Sequence, residues 1–130
     1  MTPVDAFELP EWLGTTEVTW HADRLTREGH SVLGHLSGAD SEFACDLLAI
    51  DQAYPAPVAD DATRRDAHQA WRNSQVSLVE VEGRLTLAVP GTHFTADRIL
   101  TVLGRLAKAV GARPDRFVAA LRLGVVHDEG

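Results

Sequence analysis

Four side chains in the first half of the chain are of the types that hold metal ions: His21, His30, His35 and Asp46. Imidazole nitrogens with a carboxylate suit a divalent transition metal, and such a group would serve a small metal- or ligand-dependent enzyme. There is no His-Glu-x-x-His and no Cys-x-x-Cys, so only pairing of neighbouring strands could assemble these four. His21 and His35 fall on the polar side of their segments, which favours exposed sheet histidines over a metal centre. Cys45, the single cysteine, could act as a nucleophile beside a histidine. It alternates with Phe43 and Leu47, however, and so belongs to an apolar face as an inert buried thiol. The chain holds no Gly-x-Ser-x-Gly elbow, no Walker loop and no Gly-x-Gly-x-x-Gly. No catalytic residue and no cofactor is expected.

Residues suited to recognition are better represented. Trp12, Trp20 and Trp71 could pack an interface, where tryptophan is enriched. Arg98, Arg105 and Lys108 form a basic stripe at helical spacing, continued by Arg113 and Arg116, that could meet an acidic partner. Core packing is the common use of tryptophan, and a solvated helix face is the common use of such a stripe.

The elements that would position these residues follow from hydrophobic periodicity. Val4 to Leu13, interrupted by Pro10, reads as a short apolar arm. Thr15 to Ala22, His30 to Leu36 and Glu42 to Ile50 alternate as strands and predict an antiparallel meander. Asp51 to Asp60, with Pro55 and Pro57, is a crossover loop. Asp60 or Asp61 can cap a helix running to about Asn73, with Ala67, Ala70 and Trp71 on its inner edge. Val76 to Val89 is a hairpin turning at Glu82-Gly83. A two-residue turn places Val76, Leu78, Leu85, Leu87 and Val89 on one face, and a three-residue turn moves Val79 inward instead. Thr95 caps a long amphipathic helix with Ile99, Val102, Leu103, Leu106 and Val110 as its stripe and Gly111 beyond its end. Pro114 can open a second short helix carrying Phe117, Val118 and Leu121. The expected fold is α+β: an antiparallel sheet of about five strands packed on the long C-terminal helix. Residues 1–124 form one domain and 125–130 a flexible tail.

A chain of 130 residues buries enough surface to fold without a metal or disulfide staple. One cysteine excludes an intrachain disulfide and suits a reducing, cytoplasmic setting. The first ten residues resemble no signal peptide, and no run approaches the roughly 18 apolar residues of a membrane span. Net charge is −7 and uneven: residues 1–60 hold eleven acids against two Arg, whereas residues 61–130 hold eight acids against ten Arg or Lys. That balance argues against nucleic-acid binding. It leaves room for an acidic face that docks a basic partner or a second copy of the chain.

The order of these segments, arm, meander Thr15 to Ile50, helix Asp61 to Asn73, hairpin Val76 to Val89 and helix Thr95 to Val110, resembles the type III secretion chaperone-like fold and its sensory-regulation relatives. The resemblance spans Val4 to Val110 and rests on element order. It implies a homodimer that binds an extended or partly unfolded protein partner. The expectation is therefore a non-catalytic, chaperone- or adaptor-like protein that holds a peptide segment in an apolar groove rimmed by acid. A structural subunit of a larger assembly is the other non-enzymatic possibility.

Overall fold

Alternating apolar residues draw Val18–Leu25, Ser31–Gly38 and Ser41–Ala49 into strands β2, β3 and β4. In the computed structural model, which describes residues 2–5, 8–26, 29–38, 40–52, 58–109, 112 and 117–120, these three form an antiparallel meander. They are joined by β1 (Thr2–Pro3), β5 (Ser77–Val81), β6 (Arg84–Val89) and β7 (Phe117–Ala120). Helices α1 (Trp12–Thr15), α2 (Asp61–Arg72) and α3 (Ala96–Ala109) complete the order.

The sheet overturns the expected five-stranded antiparallel arrangement. Among the described residues it has seven strands in the order β1-β5-β6-β4-β3-β2-β7, and two of its pairings, β4 with β6 and β2 with β7, are parallel. The cause lies in the crossover. Helix α2 carries the chain past one sheet position before β5 begins, and the hairpin then returns β6 into the space beside β4. Leu85 to Val89 are accordingly buried without a break, the pattern of a strand covered on both faces. Helices also lie on both faces. Leu13 of α1 and Ile99, Val102, Leu103 and Leu106 of α3 pack with Trp20, Leu36, Leu47 and Leu87. Ala67 of α2 packs on the opposite face with Leu48, Val79 and Ala88.

Local signals place the helix and turn boundaries. Asp60 is the α2 N-cap, its carboxylate accepting the Thr63 N–H at 2.7 Å. Thr63 and Ala67 are the buried residues of α2, while Ala70 and Trp71 are half-buried. Val81 pairs with Arg84, so the hairpin has the two-residue turn, with Glu82 at φ 54° and Gly83 at φ 80°. Both values are left-handed, as this turn requires. Val79 is buried all the same, against α2. Thr95 Oγ1 accepts the Arg98 N–H at the start of α3.

The segment expected as a second short helix is strand β7, parallel to β2, with Phe117 and Ala119 packed on the core and Val118 exposed. The outer edge of β2 would otherwise present unpaired backbone groups. Phe7, Pro55, Pro57, Val110, Gly111, Arg113, Pro114, Arg116, Leu121 and residues 125–130 lie outside the described residues. Among the described residues no helix is long and apolar enough to cross a membrane.

Candidate functional site

Two regions gather functional side chains: the open face of the β2–β3–β4 meander and a groove beside β5. On the open face, His21 and His35 stand directly opposite each other in the β2–β3 register. Their rings stack, with centroids 4.6 Å apart and planes 12° from parallel. Asp23 is the extra residue of a bulge between Ala22 and Arg24, and it bonds His35 Nδ1 through Oδ2 at 2.9 Å. Ser37 Oγ lies 2.9 Å from His21 Nε2. Bulges re-aim side chains in this way, and neither Asp23 nor Ser37 is distinguished by the sequence pattern.

The four-residue metal group does not form. His30 precedes β3, five residues from His35, roughly 16 Å along an extended strand. Asp46 is buried and committed elsewhere: it accepts Arg84 Nε at 2.8 Å, Arg84 Nη2 at 2.9 Å and the Gly34 N–H at 3.0 Å. The Arg84 pKa is raised chiefly by the hydrogen bonds to Asp46. Among the described residues no set of three or more His, Cys, Asp or Glu could hold a metal ion. Nor does the Ser37–His21 contact make a nucleophile and base. The carboxylate that would orient the base is on His35 and not on His21. Cys45 is fully buried, and burial followed by the neighbouring Asp46 charge pushes its thiol well above the ordinary range.

Of the expected partner-binding residues, Trp20 must be withdrawn. It is fully buried. Its indole crosses β3 above Gly34, and its Nε1–H donates to the Cys45 carbonyl at 2.9 Å. Trp12 is half-buried against the core. Trp71, Arg98 and Arg105 meet one another: the Arg105 guanidinium lies 3.5 Å and that of Arg98 5.1 Å from the Trp71 ring centroid. Arg105 Nη1 donates to the Trp71 carbonyl at 2.8 Å, and Arg98 Nη2 donates to the Pro90 carbonyl. This stack ties α2 to α3.

Beyond it opens a groove of about 520 Å³ between the end of α2, β5 and the last turns of α3. Val4, Val76, Leu78 and Ala109 form its apolar walls, and Asn73, Ser74 and Gln75 give one polar lip. Arg105 and Lys108 give the other. Among the described residues no carboxylate lines it, in a chain with 19 acids, so the described rim is basic where acid was expected. A smaller hollow of about 290 Å³ on the far side of Val4 carries Glu8 and Glu80. Ser74 adopts φ 61°. Helix α2 ends through bonds from Ser74 N–H to Trp71 C=O and from Gln75 N–H to Ala70 C=O, a left-handed cap that glycine usually fills. The side chains of Asn73, Ser74, Gln75 and Lys108 bond to no other described residue.

Asp51 anchors the same helix from the other side. It bonds His68 Nε2 at 3.1 Å and accepts the Gly91 N–H at 2.9 Å, with Arg64 Nε 3.8 Å away. Desolvation pulls its pKa upward, but the bonds from His68 and Gly91 and the charges of His68 and Arg64 prevail and lower it. A lowered carboxylate pKa adds stability that is present above the ordinary aspartate value of about 3.9 and is lost as pH falls through the folded-state value. Asp51→Asn is therefore expected to cost roughly 1 kcal/mol at neutral pH. Urea titrations of both proteins should show this gap closing in strong acid, and a gap that persists there would refute the assignment.

Comparison of the chain with family models, curated proteins and solved structures returns no match.

Proposed function

We propose that the protein is a non-catalytic binding module whose basic groove takes an extended, acidic segment of a partner protein. The observation that carries this reading is the make-up of the groove: among its described residues, two cations and no carboxylate around apolar walls, in a chain of net charge −7. Charge complementarity selects the partner and steers its approach. The apolar walls take side chains that alternate with the acids, and the free side chains of Asn73, Ser74 and Gln75 can bond its backbone.

The test is fluorescence anisotropy with a labelled peptide alternating glutamate and leucine, against one alternating lysine and leucine. The acidic peptide should bind and the basic one should not. Lys108→Glu, on an exposed position, should lower affinity at least tenfold, because it replaces an attraction with a repulsion. Equal binding of both peptides, or no effect of Lys108→Glu, would overturn the proposal.

A further inference from the structure

The paired imidazoles on the open sheet face play no part in the groove, and their surroundings point to a second ligand. We infer that His21 and His35 together capture one first-row transition-metal cation, copper(II) ahead of nickel(II) and zinc(II), at a two-histidine site whose other positions stay open to water.

Three observations support this. First, the register sets the two residues directly across from each other and brings the ring centroids to 4.6 Å, so neither strand has to move. Second, each ring commits one nitrogen. His35 uses Nδ1 on Asp23 and His21 uses Nε2 on Ser37. Nε2 of His35 and Nδ1 of His21 bond to no described residue. A carboxylate on one imidazole nitrogen with the opposite nitrogen free is the outer-shell arrangement of metal-binding histidines: it fixes the tautomer and raises ligand basicity. Third, Asp23 is in place only because the β2 bulge inserts it, which makes the orienting carboxylate a specific feature of this strand.

In the parallel stack the two lone pairs lie in separate planes. Capture of a single ion therefore requires the His21 ring to turn about Cβ–Cγ, a broad and soft torsion in imidazole. Ser37, a neutral partner, is released in that turn, while Asp23 holds His35. Two imidazoles suit copper, nickel and zinc, and the usual order of divalent affinities puts copper first.

The untagged full-length protein would be titrated with copper(II) chloride by calorimetry, and the one-equivalent complex examined by electron paramagnetic resonance. One equivalent should bind with coupling to two imidazole nitrogens. His21→Gln and His35→Gln should each weaken that equivalent at least tenfold. Asp23→Asn should weaken it about tenfold, and His68→Gln should leave it unchanged. The site is refuted if the spectrum shows one imidazole, or if either histidine variant keeps wild-type affinity. Should a histidine variant fail to fold, the wild-type spectrum and Asp23→Asn decide the matter by themselves.

Discussion

Gly34→Ala is expected to unfold the protein or to cost it about 4 kcal/mol or more, at the extreme end of single substitutions. A Cβ at this position would stand 2.5 Å from Trp20 Cζ2, 2.7 Å from Trp20 Cε2 and 2.6 Å from the His21 carbonyl oxygen. Trp20 is fully buried and pinned by its bond to Cys45, and the His21 oxygen belongs to a paired strand, so none of the three can yield cheaply. The need for glycine is one of space, since Gly34 lies outside the left-handed region. Urea midpoints would measure the loss. Trp20→Phe in the Gly34→Ala background should recover only part of it, because the His21 oxygen stays in the way. A variant that melts like the wild type would show that the indole does not lie across β3.

Arg84→Met should cost about 3 kcal/mol, the lower end of the range for breaking a buried ion pair, because the Arg84 side chain is 40 % exposed and water reaches its side of the contact. What remains is the buried Asp46 carboxylate with the Gly34 N–H as its one hydrogen bond among the described residues, and a Gly34 carbonyl that has lost Arg84 Nη2. The bare carboxylate is the costly part. Asp46→Asn keeps an acceptor for Gly34 and removes the charge, so in the Arg84→Met background it should restore about half of the loss. If the two single losses simply add, Asp46 and Arg84 are not coupled and the clasp is not a structural unit.

Both substitutions act where the β3–β4 ladder is interrupted. Pairing is regular at Ser31–Leu48 and Val32–Leu47 and resumes at His35–Ala44, and the intervening positions are spanned by side chains. Gly34 donates its N–H to Asp46 and its carbonyl accepts from Arg84 Nη2, while the Cys45 carbonyl accepts from Trp20 Nε1–H. Three of the groups left by the interruption are thereby satisfied, as burial demands.

Much of the chain's local structure was legible in its sequence, and most of its long-range pairing was not. Ile99, Val102, Leu103 and Leu106 of the α3 stripe, the Asp60 and Thr95 caps and the Glu82-Gly83 turn are written in neighbouring residues, and all lie where the local pattern places them. The sheet order is not local. Arg84 reaches Asp46 across 38 residues, and nothing in either segment specifies the other. Strand β1 has two residues and β7 four, too few to show a period. The candidate sites divide in the same way. The Arg105–Lys108 spacing announces a basic helix face, but the groove exists only because Val4, Asn73 and Leu78 are brought against it. His21 and His35 were visible as strand histidines, whereas Asp23 depends on a bulge that the alternation does not reveal.

The position of β6 between β4 and β5 also constrains the order of assembly. The meander can close through short turns, but the parallel β4–β6 pairing must wait for α2 and the whole hairpin to be made, with a long loop closed before any contact rewards it. Until then β4 carries an uncovered edge, rich in apolar residues from Cys45 to Ile50. An arrested chain is thus most prone to associate with its neighbours through that edge. Early stabilisation of the hairpin, and not of the meander, should shorten the vulnerable interval.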